Sequence, residues 1–260
     1  MALFKHYIGI DYSGAKTADS KLSGLRVYQA SGNTHPIELR PEKNRQLHWT
    51  RRQLAHWLRE QLNSKEATVV GIDHGFSFPS AYFETHQWKL HWPTFLENFK
   101  RHWPTDAINA RVEDFRIHSA DGTTQRAGNT RWRRMSEVQA GGAKSVFHFD
   151  VPGSVAKSTH AGLPWLLYLR ETLPGRVHFW PFDGWKVTPG QNVLAEVYPS
   201  LWSALFPRQA ISGDQHDAFC IAAWLQQSDQ NDTLAPYLTP SLPQETQKKG
   251  LIEGWILGVR

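Results

Sequence analysis

Two carboxylates in this chain occupy the same place in the same local pattern. Tyr7-Ile8-Gly9-Ile10-Asp11-Tyr12-Ser13-Gly14 is an apolar run that meets a single acid and then a Ser-Gly turn, and Ala67-Thr68-Val69-Val70-Gly71-Ile72-Asp73-His74-Gly75 repeats the design. Short apolar runs closed by turn residues read as strands, so Asp11 and Asp73 fall where each strand leaves its sheet. Parallel neighbours would put both acids at one edge, where ligand sites of α/β proteins collect. More acids join them from the C-terminal half. Gly213 to Leu225 reads as a helix with Asp214, Asp217, Ala218, Ile221, Ala222 and Leu225 on one face. Asp214 alone would be an acid answering the positive end of the helix dipole. Asp217 lies on the core side, where a carboxylate is costly unless a cation or hydrogen bonds compensate it. Glu196 poses the same problem inside the apolar run Val193 to Val197, with a core hydrogen bond as the plainer answer.

Clustered carboxylates without thiolates suit a hard divalent cation, Mg²⁺ or Mn²⁺, whose octahedral shell takes oxygen ligands and is completed by a substrate phosphate. Two such ions about 4 Å apart could activate a water and stabilise the leaving oxygen of a phosphodiester. Hydrolysis of a nucleic-acid backbone is the natural chemistry. His216, about 200° around the helix from Asp214, is expected to point toward solvent or a loop and not to be a ligand.

The elements that must position these acids are legible at both ends of the chain. After Asp11 come a polar loop, Gly24 to Ala30, and Pro36 to Arg40, which together with the first run read as an antiparallel meander of three strands. A helix follows from a Thr50 N-cap, with Leu54, Trp57, Leu58 and Leu62 on one face and Asn63-Ser64 as its end. A right-handed crossover then sets the Asp73 strand parallel to the first. Ala161 to Arg170 is a helix with Pro164 in its first turn, Arg176 to Trp180 and Val193 to Pro199 are strands, and Leu201 to Phe206 is a short helix. The segment after Leu225 reads as a Pro-rich linker before a terminal strand from Gly254 to Val259.

Residues 77–160 resist such a reading. A helix starts on Pro93 and runs to Trp103, but Gly122 to Gly142 is loop-rich and Arg131-Trp132-Arg133-Arg134 is a basic cluster. Ten Lys or Arg stand against six Asp or Glu between Lys100 and Lys157, so this insertion or covering lobe carries surplus positive charge. Arg131, Arg133 and Arg134, with Lys16 beside the first turn, are the candidate contacts to a nucleic-acid backbone. A solvated face with its own small core is the plainer alternative.

Composition bounds the rest. At 260 residues, 40% hydrophobic and 20% charged, the chain is expected to form one globular domain. A net charge of +5 allows a polyanionic partner without requiring one. One cysteine, Cys220, excludes an internal disulfide and a thiolate metal cluster within one chain. No signal-peptide pattern and no run long enough for a membrane span is present, so the expectation is a cytoplasmic protein with no membrane partner. Oligomeric state is not readable.

The order of elements, an antiparallel meander, helix, parallel strand, helix, strand and final helix, with acids on the first strand, fourth strand and last helix, resembles the RNase H-like α/β fold: a mixed sheet flanked by helices, here with a central insertion. Asp214-x-x-Asp217-Ala218 is similar to the helix start of RuvC-type Holliday-junction resolvases. Gly9-Ile10-Asp11, Gly71-Ile72-Asp73, Gly162-Leu163-Pro164, Glu196-Val197-Tyr198-Pro199 and His216-Asp217-Ala218 together resemble the domain-of-unknown-function family 429, regarded as predicted RNase H-like nucleases. The resemblance implies metal ligation by Asp11, Asp73 and Asp217, with Glu196 or Asp214 as the fourth acid, and a catalytic set of Asp11, Asp73, Glu196 and Asp217. The helix Thr50 to Asn63 departs from the ribonuclease pattern, since its first turn lacks an acid and Glu60 lies near its end. Two other classes remain open. The same sheet underlies the actin and sugar-kinase superfamily, in which Asp11-Tyr12-Ser13-Gly14 and Asp73-His74-Gly75 would hold Mg-ATP phosphates with Lys16 nearby, though that superfamily needs the fold twice. The other is a nucleic-acid-binding protein without catalysis.

Overall fold

The computed structural model describes residues 2–41, 47–118, 128–208 and 210–260. It is a mixed α/β structure built on a six-stranded sheet in the order β3-β2-β1-β4-β6-β5. The strands are β1 (His6–Asp11), β2 (Arg26–Ser31), β3 (Ile37–Leu39), β4 (Thr68–Asp73), β5 (Val177–Trp180) and β6 (Asn192–Glu196). The first three pair antiparallel; β1 with β4, β4 with β6 and β6 with β5 are parallel.

Helices cover both faces. On one lie α1 (Arg51–Leu62) and α6 (Ala156–Thr172), and over α6 an aromatic lobe containing α2 (Ser80–Thr85), α3 (Trp92–His102) and α4 (Val112–His118), followed in the chain by the short α5 (Met135–Gln139). Ile8, Ile10, Val70, Ile72 and Leu194 from the sheet share this core with Leu54, Leu58, Phe78, Phe95, Phe99 and Phe147. The central segment expected to cover part of the molecule thus brings its own aromatic core and packs it against the sheet's. Residues 119–127, which include the start of the expected loop at 122, lie outside the described residues.

The other face carries α7 (Gly213–Gln230), which crosses β1, β2 and β4. Alternation along the strands puts Tyr7, Gly9 and Asp11 of β1, and Val69, Gly71 and Asp73 of β4, on this side. Gly9 and Gly71 are direct partners in the parallel register. A Cβ on Gly9 would stand 2.2 Å from the Ala218 carbonyl oxygen, and one on Gly71 would stand 2.7 Å from Ile221 Cγ2. The two glycines therefore make the flat strip on which α7 lies, and the repeated Gly-Ile-Asp pattern has a packing cause for its first residue.

Local chemistry fixes where the helices begin. Thr50 and Gln53 form a reciprocal capping box at α1, and Ser212 and Gln215 do the same at α7, each offsetting amide groups that the first turn leaves open. Pro164 stands inside α6 and not in its first turn, because the helix begins five residues earlier than its sequence suggests. The ring removes the hydrogen bond that would reach the His160 carbonyl, and the Thr105 hydroxyl donates to that oxygen instead at 2.7 Å. The expected linker after α7 contains α8 (Leu234–Leu238) and α9 (Gln244–Glu253), and the expected terminal strand is a single bridge between Leu257 and Val197. The expected helix at Leu201 to Phe206 is a pair of 3-10 turns. No helix among the described residues is long and apolar enough to cross a membrane.

Candidate functional site

Asp11 and Asp73 are partners across the β1–β4 pair. Neighbouring strands run about 4.8 Å apart, so two side chains leaving the same face at the same level are held side by side. The start of α7 stands over this edge. Ala218 and Ile221 sit on Gly9 and Gly71, two residues below the acids, so Asp217 and Asp214 at the N-terminal end of the same helix project beyond the glycine strip toward Asp11 and Asp73. Capping of α7 falls to Ser212, which leaves the Asp214 carboxylate uncommitted. That carboxylate lies by the loop after β1, where a Cβ on Gly24 would stand 3.4 Å from Asp214 Oδ2 and 3.7 Å from Ser13 Oγ.

The electrostatics record this crowding. Burial holds the Asp11 carboxyl well above its ordinary range, and the charges of Asp73, Asp214 and Asp217 push the same way against a smaller opposing effect of Arg26. Asp73 is pushed up to about 8, by burial first and then by Asp217 and Glu196. Asp217 is raised by burial, eased by His216 and Arg208 and raised again by Asp214. Among the described residues no hydrogen bond compensates these carboxylates. Nor is any group of three or more His, Cys, Asp or Glu gathered tightly enough to enclose a metal ion. The donor set still fits Mg²⁺, which keeps several waters and is commonly held by one or two carboxylates plus substrate phosphates.

Glu196 stands apart. It pairs with Ile72, one position out of step with Asp73, so its side chain leaves the opposite face of the sheet. It is within electrostatic reach of Asp73, but its carboxylate is held by Arg134, with Nη1 donating to Oε2 at 2.6 Å and Nη2 to Oε1 at 2.5 Å, while the Phe76 amide donates to Oε2 at 3.0 Å.

The basic cluster divides three ways. Arg134 is corrected outright as a nucleic-acid contact, because it is 1% exposed and its guanidinium is spent on Glu196, Glu137 and the Glu253 carbonyl. Its neighbour Arg133 donates to the carbonyls of Glu137 and Ala143 from a largely exposed position. Arg131 is exposed, and so is Lys16, which takes a left-handed φ of 53°. The expectation that His216 points toward solvent or a loop is also overturned. Its ring is buried, with Nε2 3.4 Å from Cys220 Sγ, because α7 is covered on that flank as well.

One positioning residue escaped the sequence reading. Arg51, the first residue of α1 and fully buried, donates to the carbonyls of Ser13, Ala15 and Lys16, so it ties down the loop that follows Asp11. As one of two arginines at a helix start it carried no distinguishing signal. Arg26, the cross-strand partner of Asp11, binds Glu38 at 3.0 Å, and Glu38 in turn accepts from Gln215 at the start of α7. This chain of contacts joins β2, β3 and α7 beside the acids.

No protein-family model matches this chain, and no curated protein or solved structure matches it at a significant level.

Proposed function

We propose that this chain is a divalent-metal-dependent nuclease of the RNase H-like kind, as the motif resemblance to the domain-of-unknown-function family 429 implies. The observation that carries the reading is the side-by-side placement of Asp11 and Asp73 under the acid-bearing start of α7, in a setting where burial and the neighbouring acids outweigh the one opposing cation, Arg26. The antiparallel meander leading into parallel strands is also the order expected of that fold.

In this mechanism Asp11 and Asp73 hold Mg²⁺ or Mn²⁺, with Asp217 and Asp214 extending the acidic edge from α7. The bound cation supplies Lewis acidity toward a phosphodiester. Arg51 and Arg26 keep the flanking loop and helix start in place, so that the two strand-borne carboxylates meet substrate without rearrangement. Glu196, held by Arg134, anchors the Phe76 loop behind Asp73 and takes no proton from the substrate. Lys16 and Arg131 are the exposed cations left to meet a nucleic-acid backbone.

The test is cleavage of labelled RNA, duplex DNA and four-way junctions in Mg²⁺ and in Mn²⁺. The reading expects one of them to be cut by the wild type and none by Asp11→Asn. A chain that cuts none, or cuts equally well with Asn at 11, is not this nuclease.

A further inference from the structure

The opposite end of the sheet carries a second arrangement with chemistry in it. His6 at the start of β1 and Ser31 at the end of β2 are cross-strand partners, and their side chains meet with His6 Nδ1 2.7 Å from Ser31 Oγ. The other ring nitrogen, His6 Nε2, lies 2.7 Å from Glu66 Oε2. Glu66 lies just before β4, its carboxyl held below the usual range by the hydrogen bond from His6 and then by the charge of Lys5. An ionised carboxylate only accepts, so Nε2 donates to it; in the neutral ring Nδ1 then presents its lone pair, and the serine hydroxyl donates to it. That is the ground state of a serine nucleophile with its general base and an orienting acid.

Two further features adjoin these three side chains. The Gln29 amide, two residues before Ser31 on the same face, approaches His6 Nδ1 at 3.4 Å. Gln29 also lines a neighbouring cleft of about 490 Å³ with a mixed wall, Leu39, Trp49 and Trp57 beside Arg40, His56 and Glu60, and is the residue this cleft shares with the polar chain.

We propose that Ser31, His6 and Glu66 form an acyl-transfer site for carboxylic esters with an apolar acyl group seated against Trp49 and Trp57. Ser31 Oγ attacks the ester carbonyl carbon as its proton passes to His6 Nδ1. A protonated Nδ1 no longer accepts from Gln29, which frees that amide to donate to the carbonyl oxygen as it becomes negative. The bond to the leaving alkoxide breaks, His6 returns the proton to it, and an alcohol departs. Water then attacks the acyl-serine with His6 again taking the proton, and Ser31 is restored with release of the carboxylic acid. Glu66 is a positioning residue, since it holds the ring and its tautomer without touching substrate.

None of this needs a metal, so the experiment runs in EDTA and stands apart from the nuclease reading. Wild-type protein is treated with a fluorophosphonate probe, peptides are mass-mapped, and hydrolysis of p-nitrophenyl butyrate is followed. The expected results are an adduct on Ser31 and turnover that Ser31→Ala abolishes and His6→Gln lowers by about 10² or more. Glu66→Gln, at an exposed position, is expected to fold normally and to reduce turnover while lowering the pH at which it is half-maximal, because the carboxylate that favours the protonated ring is gone. Absence of the Ser31 adduct, or turnover unchanged in Ser31→Ala, overturns the proposal and leaves the three side chains as a tie between strand ends.

Discussion

Gly9 faces Gly71 across the parallel β1–β4 pair, and two residues further on Asp11 faces Asp73 in the same register. The glycines admit α7 to the sheet; the acids receive what α7 carries at its start. One repeated tripeptide thereby sets both the packing of the last long helix and the composition of the acidic edge.

Alanine at these glycines should separate hard contacts from soft ones. At Gly9 the new methyl meets backbone, the Ala218 carbonyl oxygen at 2.2 Å and the Ala222 nitrogen at 2.5 Å, so α7 must move. At Gly71 it meets side-chain ends, Ile221 Cγ2 at 2.7 Å and Val197 Cγ1 at 2.9 Å. Overpacking typically costs about 1 to 3 kcal/mol. Gly9→Ala is expected at or above the top of that range and Gly71→Ala below it, as read by urea unfolding; the reverse order would mean that α7 does not bear on β1 as described.

The buried Arg134 is expected to matter more for stability than for binding. Arg134→Met leaves Glu196 and Glu137 without their cation, and removing one partner of a buried pair costs about 3 to 5 kcal/mol. Arg131→Ala, at an exposed position, should stay within about 0.5 kcal/mol of wild type. Combining Arg134→Met with Glu196→Gln should recover part of the loss, and denaturant midpoints for the three variants settle the comparison.

Stability of the metal-free protein should fall on both sides of a mildly acidic maximum. Burial lowers His74 to about 4 and His160 to about 3. Their neutral forms belong to the fold, so this contribution is complete above the unfolded value near 6.5 and is lost as pH falls toward 4 and 3. Asp73 has the opposite sign. Its folded value near 8 lies above the unfolded carboxyl range, so its contribution is complete below about pH 4 and is lost as pH rises through 8. Thermal melts in EDTA from pH 4 to 9 should show the alkaline arm in wild type and a shallower one in Asp73→Asn. Parallel curves would contradict the burial of that acid.

The strands and the long helices were legible because each carries a strong local signal. Thr50 and Asn63 bracket α1 as expected, and the apolar runs ending in Asp11 and Asp73 are β1 and β4. What the sequence hides is tertiary compensation. Pro164 reads as a helix start until Thr105, 59 residues away in sequence, is seen to satisfy the carbonyl that proline leaves open. Arg134 reads as one more surface cation in a basic run until Glu196 and Glu137 are found around it. The acids Asp11, Asp73, Asp214 and Asp217 were all named from the sequence, but their shared edge follows only from the β1–β4 register and the glycine strip under α7.

The central claim is that Asp11 and Asp73 form the seat of a divalent cation. It is tested most directly by thermal melts of wild type, Asp11→Asn and Asp73→Asn at pH 8, in EDTA and in a Mn²⁺ series. A ligand that binds only the folded state at 100 times its Kd adds about 2.7 kcal/mol. The account expects a saturable rise in Tm for wild type, with either asparagine variant at least as stable as wild type in EDTA and insensitive to Mn²⁺. Equal Mn²⁺ shifts in all three proteins, or none in wild type, would contradict it.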